Sequence, residues 1–247
     1  MDGASGRCVS QRRGLQGHSA LRAAGRALAR SAASAARGTV AVGALLAFSA
    51  HAVPLTAEEL TKTCADAEDT AHCGRLVEGV QLRRLPNLAS REGAALKISL
   101  YPSGTATYAD TEALNGGRSY SLWDYLSEIN AVVLYVTDGD EVTFLFLHRP
   151  TGRTSELPSD PKLSPDHSRL VTADFCEARC ANELALWRVT RDGVRKESSW
   201  KPREAWSDAV ATWPSASTVA VEYTVAGAQT RSRLERRLTD RDWVPAR

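Results

Sequence analysis

Two runs of this chain, 131–136 and 142–147, leave it little choice of fold. They read Ala-Val-Val-Leu-Tyr-Val and Val-Thr-Phe-Leu-Phe-Leu, joined by Thr137-Asp138-Gly139-Asp140-Glu141. β-Branched and aromatic residues lose rotamer freedom in a helix but fit a pleated strand, and Asp-Gly suits the positive φ of a tight reversal. The pair therefore predicts a β-hairpin. Both faces of both runs are apolar, so the two strands are expected to be central and covered on both sides.

The rest of the chain after Gly93 follows the same pattern. Leu96-Lys97-Ile98-Ser99-Leu100-Tyr101 alternates apolar and polar, and Pro102-Ser103-Gly104 turns it into 105–108. Asn115-Gly116-Gly117 predicts another turn before 120–123. Further strands are expected at 153–157, 169–173, 183–190, 194–200, 218–225 and 232–238. Thr151-Gly152, Pro158-Ser159-Asp160-Pro161, Asp192-Gly193, Trp213-Pro214 and Gly227 separate them. Between residues 53 and 92 the chain is polar. Thr56-Ala57-Glu58-Glu59 reads as a capping box entering a short helix, whereas 77–88 fits either a helix or an irregular lead-in.

Residues 163–193 read LSPDHSRLVTADFCEARCANELALWRVTRDG. Ser164-Pro165-Asp166, Leu170-Val171-Thr172, Leu186-Trp187-Arg188-Val189 and Asp192-Gly193 carry a pattern that resembles a β-propeller blade of the TolB or WD-repeat kind. In that family a Ser-Pro-Asp-Gly turn leads into an apolar strand, and a second strand ends in an aromatic before an Asp-Gly turn. Here His167 stands in place of the glycine and Arg188 in place of an aspartate. The resemblance implies a meander of antiparallel strands, with 144–157 as the outer strands of a preceding blade. Residues 93–247 have room for at most about four blades of about 40 residues. The whole mature chain also resembles uncharacterised exported bacterial proteins, which implies no activity. The fold class expected is all-β and mainly antiparallel: a blade-like β-meander, a partial propeller or a sandwich, preceded by a short helical N-terminal segment (53–92).

The first 52 residues differ in kind. They hold seven arginines, no lysine and one acid, Asp2, followed by the uncharged run TVAVGALLAFSA (39–50) and then His51-Ala52. A basic region, a short apolar core and a small-x-small end predict a Sec-type signal peptide cleaved after Ala52. The run is too short to span a bilayer, which takes about 20 apolar residues. Arg12-Arg13 resembles a twin-arginine signal but lies well before the apolar core. The first cysteine beyond that core is Cys64, so no lipid attachment is expected at the cleavage site. The leader also carries the chain's basic character. The whole has 31 basic and 29 acidic residues, and the part after residue 52 keeps 24 and 28, a net charge of −4 in place of +2. A mildly acidic exported protein gives no reason to expect nucleic acid as a partner.

Four cysteines remain after cleavage: Cys64, Cys73, Cys176 and Cys180. An even count in an exported chain predicts two disulfides, with three possible pairings. The local pairs Cys64–Cys73 and Cys176–Cys180 are favoured because short loops close with little entropy loss. Cys176-x3-Cys180 with a nearby histidine is an alternative metal site, although its spacing is not that of a zinc ribbon.

Chemistry is thinly marked. Three histidines remain, His72, His148 and His167, and no nucleophile elbow, zinc-protease helix, P-loop or dinucleotide fingerprint is present. Asp138, Asp140 and Glu141 read as a solvated turn rather than a calcium loop. Arg231, Arg233, Arg236, Arg237 and Arg241 are interrupted by acids and read as a salt-bridged surface strand. Tryptophan is unevenly spread: Trp187, Trp200, Trp206, Trp213 and Trp243 all fall in the last quarter. Trp206 and Trp213, in the loop-like segment 200–214, are the candidates for an exposed aromatic platform that takes sugar or peptide. The function expected is therefore a periplasmic or secreted, non-catalytic binding or envelope-associated protein. Its partner would be a protein or an envelope ligand, with no cofactor. An envelope hydrolase and a metal-handling protein using Cys176 and Cys180 are the alternatives. N-terminal sequencing of the exported protein should find Val53 first, and thiol alkylation without reductant should label none of the four remaining cysteines.

Overall fold

The computed structural model describes residues 54–112 and 117–246. The expected signal peptide and cleavage site lie outside the described residues, as do Asn115 and Gly116 of one expected turn. The capping box at Thr56 forms: the Thr56 hydroxyl accepts the Glu59 amide, and the Glu59 carboxylate accepts the Thr56 amide. It opens helix α1 (Ala57–Thr63). Helix α2 (Thr70–Arg84) begins at Asp69, whose carboxylate caps the His72 amide. A disulfide between Cys64 and Cys73 ties the end of α1 to the first turn of α2.

All four sheets are antiparallel meanders, so the molecule is all-β with a helical N-terminal segment. The first sheet holds β1 (Ala89–Glu92), β2 (Ala95–Ser99) and β3 (Thr105–Ala109). The second holds β4 (Arg118–Leu126), β5 (Ala131–Asp138), β6 (Glu141–His148) and β7 (Arg153–Leu157). The third is built from β8 (Lys162–Leu163), β9 (Arg169–Asp174), β10 (Glu183–Thr190) and β11 (Gly193–Trp200). The fourth holds β12 (Trp206–Ser215), β13 (Thr218–Val225) and β14 (Arg231–Arg237). Finally β15 (Val244–Pro245) returns to pair with β11. Strand β1 lies in what reads as the polar N-terminal segment, so a boundary at 92/93 would fall inside the β1–β2 hairpin.

The sheets stack in chain order, and each interface has its own core. Val132, Leu134 and Val136 of β5 face the first sheet, where Leu96 and Ile98 meet them. Ala131, Val133 and Tyr135 face the opposite way, toward Leu170 of the third sheet. The expected hairpin is thus β5–β6, at the centre of its sheet and covered on both sides. Val171, Leu184 and Leu186 of the third sheet then pack against Trp206, Ala211, Val219 and Val221 of the fourth. A strand whose alternate residues enter two different cores must be apolar at nearly every position, as β5 is.

One sheet edge is closed by side chains rather than by a strand. On the free edge of β4, the Arg118 carbonyl accepts the Thr111 amide at 2.9 Å, and the Tyr120 amide donates to Asp110 at 2.9 Å. The Tyr120 carbonyl takes the guanidinium groups of Arg75 and Arg91. The Leu122 amide donates to Glu78 at 3.0 Å, and the Trp123 carbonyl accepts the Gln81 amide group at 2.7 Å. Glu78 is only 2% exposed and also receives Arg91 at 2.5 and 2.9 Å. Helix α2 comes so close at Gly74 that a Cβ there would lie 2.8 Å from the Tyr135 ring. Removing this buried carboxylate leaves the Leu122 amide and the Nε–H of Arg91 without an acceptor. Glu78→Ala should therefore lower the unfolding free energy by about 3 kcal/mol, and Glu78→Gln, which keeps an acceptor, by less. Urea denaturation of both variants measures it, and equal stability of Glu78→Ala and wild type would contradict the edge-closing role.

Candidate functional site

Strands β4, β8 and β12 each lead their sheets and form one edge of them. Their ends converge, and two tryptophans tie the convergence together. Trp123 of β4 donates its indole N–H to Asp160 at 3.1 Å, and Lys162 of β8 reaches the other oxygen of Asp160 at 2.5 Å. Trp213 of β12 donates its indole N–H to the Lys162 carbonyl at 2.8 Å. Between these ties lies a cleft of about 390 Å³. Asp124, Tyr125, Leu126 and Glu128 line it from the second sheet, Pro161 to Pro165 and His167 from the third, and Thr212 and Trp213 from the fourth, with Pro54 at its margin. The volume falls within the range of small-molecule sites.

Asp124 is the unusual group in it. The pairing of β4 with β5 slips between Leu122 and Asp124, a β-bulge of the kind that re-aims side chains. Asp124 is half-buried there, its Oδ1 accepting the Tyr125 amide at 2.8 Å. Burial pushes its carboxyl up to about 6, and the negative charges of Asp160 and Glu128 add to the rise. The Tyr125 amide and Lys162 oppose it without cancelling it. Tyr125 is itself held by Asn130 and Arg149 through its hydroxyl, each at 3.1 Å.

The turn that resembles a blade entry forms the other wall. Asp166 accepts the Ser164 hydroxyl at 2.6 Å and the Ser168 hydroxyl at 2.8 Å, and these bonds hold its carboxyl down at about 2. His167 has φ +57°, in the left-handed region that explains a glycine preference at this place. The left-handed backbone leaves His167 lining the cleft. Ser164 is 1% exposed, donates to Asp166 and accepts the Arg169 amide at 3.0 Å. Its hydroxyl is therefore committed, and it makes no nucleophile–base pair with His167 of the kind acyl transfer requires.

The other candidates scatter. Trp206 is 3% exposed and stacks on Tyr223 at 3.9 Å inside the core between the third and fourth sheets, so it forms no exposed platform. The segment 200–214 is not a loop either, since most of it is β12. Register shifts after Trp206 and after Thr212 break its alternation, and Pro214 is tolerated because β12 is an edge strand. Trp213, half-buried, is the member of the pair that reaches a cavity. His72 accepts the Glu68 amide in the α1–α2 connection, and His148 pairs with Thr151 at 2.8 Å in the β6–β7 turn. Cys176 and Cys180 are joined to each other across the β9–β10 loop, which leaves no thiolate for a metal. Among the described residues, no three of His, Cys, Asp and Glu gather where a metal ion could sit. Asp138, Asp140 and Glu141 lie at the β5–β6 turn, where Gly139 has φ +58°. Of the β14 arginines, Arg231 pairs with Asp208 at 3.0 Å, Arg233 with Glu235 at 3.1 Å and Arg236 with Asp242 at 2.7 Å. Among the described residues, no helix is long and apolar enough to cross a membrane.

Protein-family models, curated proteins and solved structures contain no match to this chain. The site must be judged on its chemistry alone. Folded Asp124 titrates near 6, against 3.8 for a free aspartate, so between these values the folded state keeps a proton that the unfolded chain has lost. Stability accordingly falls as pH rises through that window, and the penalty is complete above it. Asp124→Asn cannot ionise and keeps an acceptor for the Tyr125 amide. It should be more stable than wild type at pH 7.5 by roughly 1–2 kcal/mol, after allowance for partial solvent access. That advantage should vanish near pH 3.5 in paired thermal melts.

Proposed function

We propose that this is an exported, non-catalytic binding or envelope-associated protein that receives its ligand in the cleft between β4, β8 and β12. The observation that carries the reading is the convergence of three leading strands on one cavity, with an indole and an uncommitted carboxylate in its lining. Concave sites with apolar walls and a few placed polar groups are how proteins hold small ligands. In this reading the stacked meanders are an incomplete propeller, and their leading edges line the cleft as inner strands line a propeller channel. Export accords with the leader and with the two disulfides.

A hydrolase is the second reading. Asp124, titrating near 6, and His167 line the same cleft and would serve as acid and base toward a water. It ranks lower because Ser164, the buried hydroxyl of that wall, is committed to Asp166. The test is a screen against arrays of envelope glycans and short peptides, repeated with Trp213→Ala. The reading expects stable binding without turnover, weakened about tenfold or more when the indole is removed. Binding unchanged in Trp213→Ala would place the ligand elsewhere, and product release from any array member would favour the hydrolase.

A further inference from the structure

Charge within the cleft narrows the ligand further. Asp124 and Glu128 both line it, and among the described residues neither pairs with a cation: Asp124 accepts only the Tyr125 amide, and Glu128 has no hydrogen-bond or ion-pair partner there. Lys162, the one permanent cation among the described residues of the lining, turns its ammonium to Asp160. An anionic ligand would therefore meet the half-buried carboxylate of Asp124 and the exposed one of Glu128 with no pairing cation beside them, which is costly. A cation would meet carboxylates beside an indole, an arrangement that favours ammonium over neutral groups.

We propose that the ligand of this cleft carries a primary ammonium group, which sits on the Asp124 carboxylate beside Trp213. The inference rests on the reading of the cleft as the binding site. An amino sugar and a lysine side chain offer the same chemistry, an ammonium on a compact apolar neighbour, and the cleft has room for one such unit. Binding is also acid-sensitive. The groups facing Asp124 are Glu128 from the turn after β4, Asp160 and Lys162 from the approach to β8, and His167 across the cleft. Asp124 loses its charge as pH falls through about 6. That loss releases an ammonium group.

Two pairs of probes test this on the purified protein at pH 7.5. One pair is a glucosamine oligosaccharide and its fully N-acetylated counterpart, and the other is a lysine-containing tripeptide and its Nε-acetyl form. The readout is the Trp213 indole N–H resonance, assigned by its loss in Trp213→Phe. At least one free-amine probe should bind about tenfold or more tighter than its acetylated partner. Which pair responds identifies the source as sugar or peptide. That preference should disappear in Asp124→Asn, and binding should weaken several-fold between pH 7.5 and 5. Retained pH dependence in Asp124→Asn would place the acid sensitivity outside Asp124 and overturn that part of the proposal. Acetylated probes that bind as well as free amines would overturn the ammonium proposal and leave the cleft as the site. A Trp213 resonance unmoved by all four probes would overturn the ammonium proposal and count against the cleft itself.

Discussion

The edge of β4 is the constraint on which the rest of the molecule depends. A sheet edge presents a row of unsatisfied amides and carbonyls, and an open one invites pairing with another chain. Here the second sheet, like the third, is packed on both faces by other sheets, so it cannot hide its leading edge by curling away. Helix α2 closes that edge with Arg75, Glu78 and Gln81, helped by Arg91 and Asp110 from the first sheet. The same residues thus join the helix, the first sheet and the second. Breaking the set would expose the backbone of β4 and loosen the strand that carries Asp124.

That arrangement also explains what sequence patterning can and cannot reveal. Strands β5 and β6 were legible because each residue enters one of two apolar cores, which writes a continuous hydrophobic run. Helix α2 was not, because it packs on a strand edge and not on a sheet face. Its buried residues are Gly74, Val77, Glu78 and Gln81, and three of the four are not hydrophobic side chains. A search for an apolar stripe passes over such a helix, while the capping aspartate at Asp69 was the signal available. Strand β12 was hidden for another reason. Two bulges and a proline erase period-two alternation, and its pairing with β13 comes from residues further along the chain.

The candidate site divides in the same way. Trp213 was legible as a large aromatic beside a proline, yet its neighbour Trp206 carried an equal signal and proved to be core. Only tertiary placement separates them: β12 turns Trp206 toward Phe175, Trp200 and Tyr223, and brings Trp213 to the rim by β8. Asp124 gave no sign at all. It follows Trp123 in an ordinary strand, and its raised titration arises from burial, with the charge of Asp160, far along the chain, adding to it. His167 was singled out through the turn motif. The blade resemblance marked its place as one for glycine, and the left-handed backbone there gives the physical reason.

What remains is why a cavity persists where three edges meet, when edges tend to collapse on one another. The answer lies in the two indole N–H groups. Trp123 binds Asp160, Asp160 binds Lys162, and the carbonyl of Lys162 receives Trp213, so one relay of hydrogen bonds runs from the second sheet through the third to the fourth. Each indole is rigid, with two rotatable bonds, and each is held by packing on its own sheet. A rigid strut fixes separation as well as contact. By holding Lys162 on Asp160, the relay also leaves Asp124 only partly offset by that cation. The cleft is therefore preorganised in shape and in charge together, and a ligand that supplies its own positive charge spends little free energy on rearranging it.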